Sequence, residues 1–329
     1  MPLVTQQNRT PEPVPSSRGP DLPLRRLNFR AMATACEIQY TAPGGDAQAA
    51  AFAAAAEAWT HAFEARYSRF QPDSIVSRIN DAAGKEWVPI DPDTERLLTL
   101  CDTIHFMTRG ILDPSALPLI RLWNWKASPP AIPSAEAIAS ARRLVGWGKV
   151  RREPGRIFLP EKGMALDFGG FGKEYAVDIV SLIAKDHGIT DSLVDFGHDL
   201  RATGAPPGRP AWHIGLEDPK KAGTTWASVA LRGKAIASSG DYIRCFVVDG
   251  KRYGHIIDAR TGWPVANGCT QATVIADTCL QAGMLSTSAF IAGMKDGLEL
   301  IRACPGSEGV ILTDQERAQT RGFPNYVAS

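Results

Sequence analysis

Neither sign of charge is in excess: 36 Lys and Arg stand against 35 Asp and Glu, a formal net charge of +1. Bulk electrostatics therefore predicts no nucleic-acid partner and no pull toward an acidic membrane surface. The six cysteines (Cys36, Cys101, Cys245, Cys269, Cys279, Cys304) include no C-x-x-C pair. That spacing excludes a disulfide framework or structural zinc site and predicts isolated reduced thiols. No run of about 18 apolar residues occurs, so no membrane-spanning helix is expected. The N-terminal stretch lacks the apolar h-region of a secretory signal. Arg25-Arg26 runs into Leu-Asn-Phe-Arg, too polar and short for twin-arginine export. As it stands the chain reads as cytoplasmic, or periplasmic if an export signal has been trimmed. Internal repeats are also missing.

What is present suits a buried core: 44% hydrophobic and 22% charged residues over 329 positions are globular values. Residues 1–26 hold six prolines among Gln, Ser, Arg and Thr and read as a disordered leader, leaving 27–329 as one domain. Leu27–Tyr40 is the first strand candidate. An alanine-rich helix opens at Gly44-Gly45-Asp46, with Phe52, Trp59, Phe63, Tyr67 and Phe70 at helical spacing. A second starts with Asp91 as N-cap and Pro92 at the first turn, and ends at Gly110. Further helices are expected over Ser134–Gly146, Gly172–His187 and Leu280–Ala292. Strands are expected at Ser192–Phe196, Ala227–Leu231, Ile243–Val248, Tyr253–Ile257, Cys269–Ile275 and Gly309–Leu312. Asp249-Gly250 is a hairpin turn between two of them. This order is mixed rather than strictly βαβ, which predicts an α+β fold.

The segment Asp167-Phe-Gly-Gly-Phe-Gly-Lys-Glu-Tyr-Ala-Val-Asp178 carries the clearest chemical signal. Small residues lie between an expected strand, Met164-Ala-Leu, and a helix start. They let backbone approach a ligand, while free helix N–H groups and Lys173 favour phosphate. The spacing matches neither G-x-G-x-x-G with its ribose-binding acid nor G-x-x-x-x-G-K-[ST]. Taken singly, Gly110-Ile-Leu-Asp113-Pro114, Ser238-Ser-Gly-Asp241-Tyr242 and His255-Ile-Ile-Asp258-Ala-Arg260 are ordinary turn chemistry.

Together these blocks resemble the FAD:protein FMN transferases, the ApbE flavin transferase family. Met32-Ala33-Thr34 matches its Met-Gly-Thr element, and Ser68-Arg-Phe70-Gln-Pro-Asp73-Ser74 through Asn80 its next motif. Gly110–Pro114, the Gly-rich block, Gly197-His198-Asp199, Ser239-Gly-Asp-Tyr242 and His255–Asp258 follow in family order. The resemblance runs from about residue 28 to 313.

It implies an ApbE-like flavin transferase fold and an enzyme that uses Mg²⁺ to split FAD. FMN passes to a Thr or Ser of an acceptor flavoprotein, and AMP is released. It implies that Met32, Phe70, Ile111, Leu112, Asp113, Asp167, Lys173 and Ile257 line the FAD site, with His255 beside the flavin. Asn80 corresponds to a determinant of transfer, so His255, Asn80 and Thr287 are the catalytic candidates. The implied Mg²⁺ ligands are the Gly170 carbonyl and an Asp-x-x-x-Thr pair, which here is Gly283 to Thr287: glycine stands where the carboxylate belongs. A hard cation loses its main charged ligand by that change, and Ser286 and Asp277 are the candidate substitutes. Gly283 also opens a second reading, a non-catalytic FAD-binding paralogue acting as carrier, sensor or assembly factor. Smaller departures are Glu174 for the family's glycine in Lys-Gly-Tyr, and His198 for the second glycine of Gly-Gly-Asp.

Overall fold

The computed structural model describes residues 22–328 apart from 125, 126, 222 and 243. Of the expected leader, residues 1–21 lie outside the described residues, and the first strand begins at Arg25, inside its expected end. The α+β expectation holds. Eight strands form one antiparallel sheet in the order Arg25–Ala31, Thr34–Tyr40, Ser192–Phe196, Asp199–Thr203, Lys234–Gly240, Cys269–Ala276, Glu308–Thr313, Arg317–Gln319.

Both faces of this sheet are covered, which is why Cys269–Ala276 is buried at every position. Ala272 and Val274 face the helices, where they meet Leu285, Ala289 and Phe290 of the Cys279–Ala292 helix. Ile275 points the other way, into a cluster with Trp212, Leu216, Val229 and Leu231 of the Trp212–Glu217/Thr225–Leu231 hairpin. Val177 and Val180 of the Gly172–Asp186 helix pack on Ile38, Val194 and Phe196, and Phe52 from the Gly45–Tyr67 helix joins them. Each such fully buried side chain contributes about 1.5–3 kcal/mol.

Several expected boundaries hold for the physical reasons given. The Asp91 side chain accepts from the Thr94 N–H at 2.9 Å, and Pro92 opens the Pro92–Met107 helix. Ser134 caps Ala135–Arg143. Asp249 and Gly250, both left-handed, turn Cys245–Val248 into Lys251–Gly254.

Others differ. Leu27–Tyr40 is not one strand but a hairpin, because Met32 (φ 51) and Ala33 (φ 59) form a tight left-handed turn. Neither residue type signals such a turn, so the sequence hides it. Tyr253–Ile257 splits: Tyr253 and Gly254 finish one hairpin, whereas Ile257-Asp258 pair with Trp263-Pro264. The strand expected at Ile243–Val248 begins at Cys245; Ile243 lies outside the described residues. A further helix, Met294–Ala303, follows the kink at Gly293 (φ 89). All six cysteines are free, and no described helix is long and apolar enough to cross a membrane.

Candidate functional site

Segments far apart in sequence meet around one core. Ile79, Phe168, Phe171 and Met284 are buried in it, and Met32, Leu112 and Ile256 pack against it. The structure thus brings together the Met32 turn, the Asn80 helix, the Gly110–Pro114 segment, the Gly-rich block and the His255 segment.

The sequence predicts a strand at Met164–Leu166; the structure has an extended segment with a single bridge, Ala165 to Ala116. Side chains hold it in place of a ladder. Asn80 donates from Nδ2 to the Leu166 carbonyl at 3.0 Å and accepts from the Leu166 N–H at 2.6 Å. Its amide is therefore committed to backbone positioning. The next residue, Asp167, donates its N–H to the Pro114 carbonyl at 2.9 Å. One carboxylate oxygen of Asp167 accepts from the Gly169 N–H, and the other pairs with Arg69 Nε at 3.1 Å. The Arg69 guanidinium lies 4.2 Å from the centre of the Phe70 ring, which is 75% exposed. An uncovered ring at this edge is open to a planar partner.

Asp113 is occupied by the protein. It accepts from the Ser115 N–H (2.8 Å), the Ser115 hydroxyl (2.6 Å) and the Trp147 N–H (3.0 Å). A ligand contact from this loop falls to backbone or to Ile111 and Leu112, which share a cluster with Ile256, Val265 and Ile291. Ile257 lies apart from them, against the cluster of Trp123 and Tyr253.

Across from this wall starts the Gly172–Asp186 helix, whose first turn has no side-chain cap. The Gly172 N–H donates to the Phe168 carbonyl at 2.7 Å, and the positive dipole end beyond it suits an anion. No atom stands within 4 Å of where a Gly170 Cβ would be, so that backbone borders open space. Lys173 Nζ donates to Asp199. Burial alone would lower this ammonium, but the Asp199 and Glu174 charges outweigh it and hold the group raised and charged. Asp199 is presented by the two-residue turn Gly197-His198, both left-handed. A Cβ on Gly197 would collide with the Thr34 hydroxyl. His198 is exposed and belongs to the turn, its backbone N–H donating to Asp195 at 2.7 Å.

Thr287, on the Cys279–Ala292 helix, shares a 2.8 Å hydrogen bond with Ser239, which also meets Ser286 at 3.0 Å. Of the two candidate substitutes for a metal carboxylate, Ser286 donates to the Gly283 carbonyl at 3.1 Å. Asp277 pairs with Lys234 and is 61% exposed, so it is engaged at the surface. Asp178 accepts from the Cys279 and Leu280 N–H groups at 2.9 Å each and pairs with Arg201 at 2.6 Å, tying the two helices together.

Gly283 faces Glu174. A Cβ built on Gly283 would stand 2.5 Å from Glu174 Cγ and 2.8 Å from Oε1. Glu174 is 6% exposed and its Oε2 has no hydrogen-bond partner. Burial pushes this carboxyl up, to about 8, and the Asp199 charge adds to the rise while Lys173 opposes it.

His255 is half-buried and donates its backbone N–H to the Arg244 carbonyl at 2.9 Å. Its Nδ1 is buried without a hydrogen-bond partner. Desolvation, then the charges of Arg244 and Lys173, lower it to about 4, so the imidazole is neutral at physiological pH.

Among the described residues no group of three or more His, Cys, Asp or Glu side chains forms a metal cage. The candidate donors are oxygens: the Gly170 carbonyl and the Thr287 hydroxyl that the sequence implies, and the orphaned buried Oε2 of Glu174 beside Gly283. Such a set fits Mg²⁺, which takes few protein oxygens and completes its shell with substrate phosphates and water. Sequence reasoning assigned no role to Arg69, Asp178, Ser239 or Glu174. All four lie inside the motifs quoted above, but only Glu174 stands out there, as a departure from the family's glycine.

Residues 32–311 match the ApbE family. An FAD:protein FMN transferase of Klebsiella pneumoniae is 30% identical over 85% of this chain and 82% of its own length. One from Vibrio cholerae is 27% identical over 92% and 90%. The crystal structure of the ApbE protein of Thermotoga maritima superposes with a TM-score of 0.84 at 28% identity, covering 93% of this chain and all of that one. The Pseudomonas stutzeri flavinyl transferase ApbE gives 0.82 at 26% identity over 94% and 98%. The chain described here belongs to the ApbE family.

Proposed function

We propose that this protein is an FAD:protein FMN transferase that moves FMN from FAD to a Thr or Ser hydroxyl of an acceptor flavoprotein and releases AMP. The observation that carries the reading is Lys173, held charged in the first turn of the Gly172–Asp186 helix, with open backbone at Gly170. The relatives that bear this name supply the reaction class.

In the proposed reaction the acceptor hydroxyl oxygen attacks the phosphorus on the FMN side of the pyrophosphate. A new P–O bond forms, the bond to the AMP oxygen breaks, and the hydroxyl proton leaves to a base. Lys173 and the helix N–H groups stabilise the charge that builds on the phosphate oxygens. Phe70, Met32, Leu112 and the backbone of the Asp113 and Asp167 loops provide walls for the planar rings, with Ile111 behind Leu112. His255, neutral at physiological pH, is the candidate to take the acceptor's proton, as a weak base whose proton affinity burial has lowered. Asn80 acts by holding Leu166 and so the loop that follows. Bound Mg²⁺ would neutralise the pyrophosphate, held through Gly170 and Thr287.

Gly283 supports a second reading, an FAD-binding protein without transfer activity. The two separate on incubation with FAD, Mg²⁺ and a Thr-bearing acceptor flavoprotein, followed by chromatography for AMP. AMP in step with loss of free FAD supports transfer; bound, intact FAD with no AMP supports the second reading.

A further inference from the structure

The substitutions at positions 174 and 283 are spatially one change. Glu174 sits in the first turn of the Gly172–Asp186 helix, and its side chain crosses the volume that any side chain on Gly283 would need. An aspartate at 283 and a glutamate at 174 therefore exclude each other unless the Glu174 side chain or one helix moves. Each departure alone looks like damage; together they move a carboxylate from one helix to its neighbour.

Where the carboxylate arrives matters. Position 283 is one helical turn before Thr287, on the same face. Glu174 meets position 283 from the neighbouring helix, its Oε1 2.8 Å from where a Gly283 Cβ would stand. The Glu174 carboxylate therefore occupies the place of a side chain at 283, one helical turn from Thr287, and its Oε2 is buried and unpartnered. Nearby, Lys173 pairs with Asp199, and Arg201 with Asp178. Lys173 is shared between Asp199 and Glu174, so Glu174 has no ion pair of its own and its Oε2 lacks a hydrogen-bond partner. A buried charge in that position is unfavourable unless a cation or proton meets it.

We propose that Glu174 is a relocated metal ligand, supplying from the Gly172–Asp186 helix the carboxylate that Gly283 lacks. This inference rests on the Mg²⁺-dependent reading above, and it removes the reason to treat Gly283 as a lesion. The pair Glu174/Gly283 and the family's glycine/aspartate pair are two ways to place one carboxylate opposite the same threonine.

The test is Mn²⁺ binding, read by electron paramagnetic resonance with and without FAD, and by Mg²⁺ competition. Glu174→Gln keeps the packing and removes the charge. It is expected to weaken Mn²⁺ affinity by about 100-fold, since even outer-sphere partners of a metal are worth roughly 10–100-fold. FAD binding without metal should change little. Gly283→Asp alone should lower the melting temperature through collision with Glu174. The double variant Glu174→Gly/Gly283→Asp should recover Mn²⁺ affinity to within about 10-fold of the parent, at the lower limit of that same ligand effect. Unchanged Mn²⁺ affinity in Glu174→Gln, a double variant no better than Glu174→Gly, or no Mn²⁺ binding by the parent each overturns the proposal. Transfer by the parent is measured in parallel. Metal binding through Glu174 without transfer defeats the functional reading alone, whereas transfer with a metal site indifferent to Glu174 defeats this inference alone.

Discussion

Asn80 offers a quantitative test of how the Gly-rich loop is built. Its amide is the partner of both the N–H and the carbonyl of Leu166, at 2.6 and 3.0 Å, and Leu166 itself is fully buried. Asn80→Ala leaves a buried donor and a buried acceptor unpaired, at about 1–3 kcal/mol each. Asn80 is only half-buried, so water can relieve part of this, and a net loss of about 2–4 kcal/mol is expected. Asn80→Asp is the sharper variant. It keeps the bond from the Leu166 N–H but sets a carboxylate oxygen against the Leu166 carbonyl. At neutral pH it should lose about as much as the alanine variant. As pH falls through the carboxyl's range, the protonated acid can donate to that carbonyl, and the difference from the parent should shrink. Urea unfolding of all three proteins at pH 7 and near pH 4.5 measures this. Loss of FAD affinity should accompany it, because Leu166 leads directly into Asp167 and the glycines. An alanine variant within about 0.5 kcal/mol of the parent, the range of neutral surface changes, would refute the reasoning. So would an aspartate variant whose deficit does not depend on pH.

Three further outcomes follow from the geometry. His255 is lowered to about 4 against an ordinary 6.5, so the unfolded chain binds the extra proton between those pH values. Folding stability is therefore complete above about 6.5 and is lost as pH falls toward 4, by up to about 3 kcal/mol. His255→Asn should flatten that part of the stability profile, and an unchanged slope would contradict the burial argument. Lys173→Met strands Asp199 and should destabilise by about 3 kcal/mol, the lower end for a broken buried pair because Lys173 is 28% exposed. Adding Asp199→Asn should recover stability in thermal melts but not FAD affinity. Gly197→Ala forces a left-handed alanine against Thr34. A loss of about 1–3 kcal/mol is expected, and Thr34→Ala should restore part of it.

Much of this was readable because local chemistry fixes it. Asp91 before Pro92, Ser134 before an amphipathic helix, and Asp249-Gly250 between two strand candidates each name their own conformation. The Met32-Ala33 turn was not readable, since neither residue advertises a positive φ and the hairpin is imposed by pairing along its flanking strands. Nor was Met164–Leu166, whose apolar run looks like a strand but is held by Asn80 from 86 residues away. At the site, residue types and order pointed to the right segments, while their division of labour needed coordinates. Asp113 and Asn80 prove to be committed to backbone. Glu174 and Gly283, separated by more than 100 positions, become one feature only when their two helices are side by side.

The central claim is transfer itself, and intact-mass spectrometry of the acceptor tests it most directly. An acceptor flavoprotein incubated with this protein, FAD and Mg²⁺ should gain one FMN by phosphoester linkage at its Thr or Ser, with AMP formed in equal amount. The gain should vanish with chelator or with the acceptor residue changed to alanine. An acceptor of unchanged mass, in the presence of protein that demonstrably holds FAD and metal, would contradict the account.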